Sequence, residues 1–335
     1  MNRLIIILVS FYYISHILLF SSCYQICIFQ IIMTNITRRN GFLLLGFSDD
    51  QKMQILYALL FLVLYLVALT GNFIIITITT LDQHLQSPMY YFLKQLSLLD
   101  LSFTSVTVPQ AIDNSLMDDN YVSYGQCILQ VFFFTSLAWT EIAILTVMSY
   151  DLYTAICFPL HYEVIMDPRN CQWAMIAVWV SGGISGILYI AATFSITFCR
   201  VKIIHQFFCD VPQLLKLSCS NDYLGVIGVA AFMSVVALAC FVSIALSYVH
   251  IFSTVLRIPS AEGLSKVFST CLPHLFVVSF FLSTGICAYL KQTTDSPSVF
   301  DFMVSIFYTV IPPTLNPIIC SLRNEAMKGA LRNLL

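Results

Sequence analysis

Long apolar stretches alternate along this chain with short segments that contain polar residues, glycine or proline. Seven of these stretches are long enough to cross a bilayer as a helix, which takes about 20 residues. They lie at roughly 55–80, 89–114, 124–157, 171–194, 225–256, 265–290 and 299–321. Backbone polar groups inside a bilayer must be paired within the protein, and helices achieve this within one segment. The pattern therefore predicts an all-α membrane protein, a bundle of seven transmembrane helices.

The segments between the stretches indicate how the bundle is connected. Those near 81–88, 158–170 and 257–264 are short, whereas residues 195–224 form the longest connection. Residues 322–335 follow the last stretch and are predicted to form a short amphipathic C-terminal helix on the cytoplasmic membrane surface. Its polar side carries three basic residues, Arg323, Lys328 and Arg332. Seven spans place the two chain termini on opposite sides of the membrane.

Composition excludes a soluble domain and several classes of function. The chain is 59% hydrophobic and 10% charged, whereas soluble domains carry about 25% charged residues. Its net charge is −2, and without a basic patch we expect no nucleic acid partner. It contains no HExxH, Gly-rich phosphate loop or GxSxG motif, so we predict that it is not an enzyme. His205 and Asp210 lack a partnered nucleophile, which favours a structural role in their loop.

The first 54 residues are harder to interpret. Residues 1–32 form an atypical hydrophobic extension that resembles a signal peptide, but they could also be a poor extra span or an upstream reading-frame extension. We favour the last interpretation because Met33 opens a segment typical of a natural start. Residues 33–54 are predicted to be an extracellular N-terminus, and they contain a glycosylation sequon at Asn35. Basic residues are almost evenly divided between the two sides, so they do not decide the orientation.

Four cysteines are predicted to lie on one side of the membrane. Cys199, Cys209 and Cys219 belong to the longest connection, and Cys127 begins the third stretch. Four cysteines on the same side fit two disulfides in an oxidising compartment. Free thiols or zinc ligands are the alternative, although the close pairs of a zinc site are missing.

Polar residues interrupt several apolar stretches at similar depth. Asp100 and Glu141 are acids in the second and third stretches, and Asn72 and Asn316 lie at mid-depth in the first and last. Two buried acids repel each other unless they share a cation or a proton. The group is therefore a candidate site for sodium or a shared proton. The alternative is that each acid is neutral and only hydrogen-bonded.

The end of the third stretch and the middle of the last carry further candidates. Asp151 follows Tyr150 where an apolar helix leaves the membrane, and it is predicted to be a polar latch rather than a solvated helix end. Asn316 and Pro317 interrupt the helical hydrogen bonding of the last stretch. Proline in a span is often an inert kink, but beside buried acids we interpret it as a hinge.

Ten motifs, taken in order, resemble one family from residue 42 to residue 335. They are FLLLGFS (42–48), GN (71–72), SPMYYFL (87–93), SLLDL (97–101), MSYDLYTAICFPLHY (148–162), SY (247–248), IPSAEG (258–263), FSTC (268–271), His274 and PPTLNPIICSLRN (312–324). On these motifs the chain resembles the olfactory receptors, which are rhodopsin-like G-protein-coupled receptors.

The resemblance implies an odorant-gated receptor of the plasma membrane with an extracellular N-terminus. Its partners would be a small-molecule odorant, a heterotrimeric G protein of the stimulatory type that raises cyclic AMP, and membrane lipid. The resemblance also implies disulfides between Cys127 and Cys209 and between Cys199 and Cys219. Asp100 and Glu141 fall on the family's ion-site positions, and no cofactor is implied beyond a structural sodium ion there.

By the same resemblance, an odorant pocket lies between spans three, five, six and seven. Its lining would consist of Phe134, Thr135, Ala138, Trp139, Phe232, Val236, Leu282, Ser283, Ile286 and Ile306. This set suits a small, mostly apolar ligand, with Thr135 or Ser283 giving one polar contact. Ordinary helix packing is the alternative role for each aromatic residue.

The resemblance also implies which residues form the activation switch and contact the G protein, and at some of these positions this chain differs from the family. The implied set is Asp151, Leu152, Tyr153, Tyr248, His274, Asn316 and Pro317. The family has arginine where Leu152 stands, a basic residue at Leu264, tyrosine at Cys320, and an aromatic-Gly pair at Leu282-Ser283. We therefore expect a retained fold with weakened or absent coupling.

Two alternatives to a signalling receptor remain. One is a non-signalling product of a decayed receptor gene. The other is a small transporter, although the two halves of the chain show no internal repeat.

Overall fold

The structure is a computed structural model that describes residues 41–44, 51–116, 121–198, 203–204, 206–219, 224–256, 261–291, 305–307, 309–323 and 325–334. Most of these residues are helical. The helices are α1 (Gln51–Leu81), α2 (Pro88–Leu116), α3 (Tyr124–Cys157), α4 (Tyr162–Ile165), α5 (Pro168–Phe194), α6 (Val211–Lys216), α7 (Leu224–Val255), α8 (Ala261–Lys291), α9 (Ile311–Arg323) and α10 (Glu325–Leu334). Short 3-10 turns occupy Gln83–Leu85 and Pro159–His161.

The long helices match the predicted apolar stretches. Among the described residues, α1, α3, α5 and α7 are long and apolar enough to span a membrane. Helices α2 and α8 have 29 and 31 residues, so they are also long enough, but polar residues lower their apolar character. The last predicted span is described over residues 305–307 and 309–321. An all-helical bundle with several long apolar helices agrees with the predicted fold class.

Side-chain caps mark where two of these helices begin. Ser123 and Gln126 form a capping box at the start of α3, in which each side chain pairs with the other residue's backbone N–H. The Asp167 carboxylate accepts a hydrogen bond from Arg169 N at the start of α5, and Pro168 occupies the first helical position.

A small sheet, which the sequence analysis did not predict, covers one end of the bundle. Its strands β1 (Gly41–Leu44), β2 (Tyr121–Ser123) and β3 (Ile203–Ile204) lie in the order β2-β1-β3. Strand β1 pairs antiparallel with β2 and parallel with β3. Phe42 and Leu44 are buried while Leu43 between them is 42% exposed, as expected when alternate side chains face opposite sides. Part of the predicted extracellular N-terminus, residues 33–54, is therefore paired with two loops.

Helix α3 is the central element of the bundle. It packs against α2, α5 and α7 and also touches α8. Gly182 and Gly186 let α5 approach it closely, because a Cβ atom at either position would overlap the side chain of Thr140 or Ser136. We call the end that carries the sheet and Cys127 the disulfide end, and the end that carries Asp151 the Asp151 end.

The C-terminal helix α10 packs against the bundle at the Asp151 end. Met327 and Ala330 are buried in a cluster with Ile75 and Ile78 of α1 and Tyr90 of α2. Its other side carries Arg332, which is exposed. This arrangement agrees with an amphipathic tail, with the apolar side held by the bundle.

Candidate functional site

Buried polar side chains link α1, α2 and the last span at mid-depth. The Asn316 amide donates to Asp100 Oδ2 at 3.0 Å. The Asn72 amide donates to the backbone oxygens of Ala68 and Pro313, at 3.0 and 2.9 Å. All three polar side chains are almost completely buried. The bond to the Pro313 oxygen satisfies the backbone acceptor that Pro317 leaves open four residues later, because proline has no N–H to donate.

Glu141 of α3 adjoins this group. The Asp100 carboxyl group is close enough that a charge on either acid disfavours a charge on the other. Among the residues that the structure describes, Asn72 Oδ1, Asp100 Oδ1 and Glu141 Oε1 are buried acceptors without a hydrogen-bond partner. Unpartnered buried oxygens are costly. Oxygen donors of this kind fit a hard cation such as sodium, so the residues present are compatible with the predicted ion site.

Asp151 is held in a buried hydrogen bond rather than solvated. The Tyr162 hydroxyl donates to Asp151 Oδ1 at 2.8 Å, and Asp151 is 2% exposed. Burial of the phenol, followed by the nearby Asp151 carboxylate, raises the pKa of Tyr162 above its ordinary value. The phenol therefore remains a donor, and this bond joins the end of α3 to α4.

Leu152 is buried in an apolar cluster at the Asp151 end, which we call the Leu152 cluster. It is 7% exposed and packs with residues of α3, α7 and α8. The buried members are Leu145, Leu152, Ile244, Tyr248, Ile251, Val255, Cys271, Val277 and Val278. Tyr153 lies at the edge of this cluster, with its ring 5.7 Å from that of His250. Three helices are thus joined by apolar contacts at the position where the family has a charge.

Hydrogen bonds run through the same cluster. The Tyr248 hydroxyl lies 2.7 Å from His274 Nδ1, and His274 Nε2 lies 3.0 Å from the Leu145 backbone oxygen. A carbonyl oxygen only accepts, so Nε2 must carry the hydrogen. In a neutral ring Nδ1 is then the acceptor for the Tyr248 hydroxyl. The His274 side chain of α8 therefore bridges α7 and α3.

The predicted pocket residues of α3 divide between different clusters. Phe134 is half-buried, and its ring lies 5.0 Å from those of both Phe103 and Phe208. Thr135 is buried and donates its hydroxyl hydrogen to the Val131 backbone oxygen at 2.7 Å. Ala138 packs toward α2 and α5, and Trp139 packs in the cluster beneath the sheet.

The predicted pocket residues of the other spans are partly exposed or belong to separate clusters. Phe232 and Val236 of α7 are 60% and 37% exposed. Their neighbour Met233 is 5% exposed and belongs to the same cluster as Trp139. Ser283 is exposed, and Leu282 lies at the edge of the Leu152 cluster. Ile306 is buried with Phe207 and Phe208, in a cluster that contains no residue of α7.

A disulfide joins Cys127 at the start of α3 to Cys209 in the longest connection. This confirms the prediction of that bond. Cys219 is disulfide-bonded as well, but its predicted partner Cys199 lies outside the described residues. Among the described residues, Cys157, Cys171, Cys240 and Cys271 are free cysteines.

Some predicted features cannot be placed. Asn35 lies outside the described residues, as do residues 1–32. The side chains of Leu264, Ile286 and Cys320 are also outside the described part of the chain. Their roles remain predictions from the sequence.

The sequence analysis missed Gln130, Phe207 and Phe208. Gln130 Oε1 accepts from Cys209 N at 2.8 Å, and its amide donates to the Val106 backbone oxygen at 3.3 Å. Phe207 and Phe208 reach from the connection into the bundle and are fully buried. Two adjacent aromatic residues directly before a disulfide cysteine are a signal that could have indicated an inserted loop.

Comparison with known proteins agrees with these observations. Residues 61–335 match the olfactory receptor family. Human olfactory receptor 14J1 is 64% identical over 303 residues, which cover 90% of this chain and 94% of that protein. Human olfactory receptors 14A16 and 14L1 are 52% and 53% identical, each over 89% of this chain and over 96% and 92% of their own lengths. The family consists of multi-pass membrane receptors and not of enzymes. This chain belongs to the olfactory receptor family of seven-transmembrane receptors.

Proposed function

We propose that this receptor lies in the plasma membrane with its N-terminus outside, and binds small, mostly apolar odorants within the helix bundle. Binding favours a helix arrangement that admits a stimulatory G protein and raises cyclic AMP, but coupling is weakened. Asn35 is its glycosylation site, and a second disulfide joins Cys199 to Cys219. Family membership sets the transporter alternative aside. The observation that carries the proposal of weakened coupling is the burial of Leu152.

Helix α3 provides the mechanical connection between ligand and G protein. Phe134, Thr135, Ala138 and Trp139 lie toward the disulfide end of this helix, and the Asp151 latch is at its other end. A ligand that contacts one helix arrangement better than another shifts the population toward it. Because His274 bridges α7, α8 and α3, opening the Asp151 end requires this bridge to break.

Leu152 weakens coupling in two ways. Complete burial of a leucine side chain contributes roughly 1.5–3 kcal/mol relative to exposure. That contribution stabilises the closed cluster, and each ~1.4 kcal/mol lowers the open population tenfold. An opened face would also present an apolar group in place of the family's arginine, and so would lack a charge for the G protein.

Asp100 and Glu141 are proposed to hold a sodium ion in the resting receptor. The unpartnered oxygens of both acids and of Asn72 support this proposal. A bound cation offsets the repulsion between the two carboxylates, at least one of which would otherwise take up a proton in this buried site. Asn316 links the ion site to the hinge at Pro317, so the ion would favour the hinge conformation seen here.

The test of coupling compares the unmodified chain with Leu152→Arg in cells that report cyclic AMP. Both are screened with the same odorant panel, and surface levels are measured by antibody so that responses can be scaled. We expect Leu152→Arg to raise the largest response several-fold. Ile156→Arg adds the same charge one turn further along α3, at the edge of the same cluster, and is expected to give no gain. Full output from the unmodified chain with no gain from Leu152→Arg would contradict the proposal.

A non-signalling product of a decayed receptor gene is the second candidate function. The replacement of the family's arginine by Leu152 favours it. The same surface measurement separates the two candidates. A decayed product is retained inside the cell both as the unmodified chain and as the Leu152→Arg variant, whereas the proposed receptor reaches the surface.

A further inference from the structure

One side of α2 is not covered by the other helices. Between residues 90 and 105 every residue of this helix is buried except six, which are half-buried. They are Tyr91, Lys94, Gln95, Leu98, Ser102 and Ser105. At 3.6 residues per turn these six fall on one stripe about 100° wide, which we call the open stripe. Hydrogen bonds of 3.2 Å mark its edges, one between Ser105 and Tyr65 of α1 and one from Trp179 of α5 to Gln95. The open stripe therefore faces the membrane between α1 and α5.

The open stripe carries a cation inside the span. Lys94 follows Pro88, where α2 begins at the Asp151 end, by about 9 Å along the helix axis. Among the described residues, no carboxylate or other acceptor pairs with its ammonium group. A charged side chain within a span is costly unless it finds a partner or reaches the membrane–water interface. Near a helix end a lysine does the second, with its stem in the apolar layer and its head among the lipid headgroups.

Two further hydrogen-bond donors lie beside Lys94 on the same stripe. Tyr91 and Gln95 are neighbours one turn apart on the helix surface. An indole N–H only donates, so the bond from Trp179 occupies the Gln95 oxygen and leaves the Gln95 NH2 group. Among the residues that the structure describes, neither this NH2 group nor the Tyr91 hydroxyl donates to an acceptor. Unpaired donors in lipid are costly. The three side chains together fit a ligand that supplies negatively charged oxygens.

We propose that the open stripe binds the headgroup phosphate of an anionic phospholipid from the cytoplasmic leaflet, with Lys94 as the cation and Tyr91 and Gln95 as hydrogen-bond donors. This inference rests on the proposed function in one respect, namely that the Asp151 end faces the cytoplasm. The cytoplasmic leaflet is the one that is rich in anionic lipid. A zwitterionic lipid brings its own ammonium group and so leaves the Lys94 charge uncompensated.

The surface beyond these donors suits an acyl chain. Leu98 continues the open stripe one turn further into the membrane. On the adjoining helix α5, Ile176 is 51% exposed, and a Cβ atom at Gly183 would meet nothing within 4 Å. Trp179 lies between those two positions and is half-buried. A lipid whose phosphate is held at Lys94 would therefore place its chain against the Trp179 ring.

The experiment measures Trp179 fluorescence in nanodiscs of phosphatidylcholine that contain a minor fraction of a brominated lipid. The chain has three tryptophans, and Trp139→Phe with Trp173→Phe leaves Trp179 as its single indole. Bromine near the headgroup end of an acyl chain quenches an indole that it touches. Brominated phosphatidylserine should be preferred about fivefold over brominated phosphatidylcholine at the same fraction, as expected for one lysine at an anionic membrane surface. Equal quenching by the two lipids would overturn the proposal.

Lys94→Met tests the cation, and Arg169→Gln is its matched control. Lys94→Met should abolish the preference for phosphatidylserine, whereas Lys94→Arg should retain it. Arg169 is an exposed cation at the start of α5, at the same end of the bundle. Arg169→Gln therefore removes an equal charge from the protein surface and should leave the preference nearly unchanged. An equal loss in Lys94→Met and Arg169→Gln would mean diffuse attraction to surface charge and would rule out a site on the open stripe.

A soluble anion is the other source of a phosphate group. Inorganic phosphate in the buffer should not relieve the quenching, because the acyl chain is part of what the open stripe binds. Relief of the quenching by millimolar phosphate would contradict a lipid site.

A second measurement applies if the tryptophan variants do not fold. The otherwise unmodified chain should unfold several degrees higher in nanodiscs that contain phosphatidylserine than in phosphatidylcholine alone. Lys94→Met should lose this rise and Arg169→Gln should keep it, and equal midpoints of the unmodified chain in the two lipids would overturn the proposal. Both leaflets of a nanodisc have the same composition, so neither readout depends on orientation, odorant or G protein. Receptor function can therefore fail in the cyclic AMP assay while the lipid site stands, and the reverse.

Discussion

At the scale of single residues, the costly polar groups were the most predictable part of the site. Asp100, Glu141, Asn72 and Asn316 each interrupt an apolar stretch, and the structure places them together. An ionisable group in a membrane span is retained only when it has a partner or a function. The sodium ion proposed for this group would give its unpartnered oxygens a ligand.

Asp100→Asn tests the ion at this scale. The unmodified chain in detergent should unfold at a temperature that rises when potassium is replaced by sodium at constant ionic strength. Asp100→Asn removes one carboxylate and its charge, so the sodium-dependent rise should be lost. Asp113→Asn changes an exposed acid of the same helix and should retain the rise. An equal sodium effect in Asp100→Asn would argue against an ion at this position.

At the scale of elements, the long helices could be predicted and the contacts of the loops could not. Spans of apolar residues determine helices through their own backbone pairing. Strands β1, β2 and β3 have four, three and two residues and lie far apart in the chain, so no periodic signal marks them. The Tyr162 partner of Asp151 and the insertion of Phe208 likewise depend on how loops turn back on the bundle. Apolar residues occur all round α7, so the pattern does not mark its buried side, and the predicted pocket residue Phe232 is 60% exposed.

The close approach of α5 to α3 gives a prediction at the same scale. Gly182→Ala places a methyl group against the Thr140 hydroxyl, which is itself bound to the Ser136 backbone oxygen at 2.8 Å. Overpacking of this kind costs about 1–3 kcal/mol. The unfolding midpoint of the detergent-solubilised chain should therefore fall by several degrees. Gly183→Ala is the control, since a Cβ there meets nothing within 4 Å. It should leave the midpoint unchanged or slightly higher, and an equal fall in both variants would refute the packing argument.

At the scale of the whole molecule, the sequence predicts the class of protein more clearly than the orientation of the chain in the membrane. Charge is divided too evenly between the two sides to favour either one. The sheet, the Cys127–Cys209 bond and the inserted loop all lie at one end of the bundle, and the Asp151 latch and Leu152 cluster lie at the other. This polarity fits an oxidising exterior at the disulfide end and a G protein at the Asp151 end. We therefore infer a seven-span receptor in that orientation.

Protease protection of microsomes tests this claim most directly, because it does not require delivery to the cell surface. One epitope tag is inserted between Met33 and Thr34, and a second follows Leu335. With intact microsomes we expect the first tag to survive protease and the second to be digested, since the N-terminus would lie in the lumen. Digestion of both tags only after detergent is added, or of both without it, would place the two ends on one side and contradict a seven-span receptor.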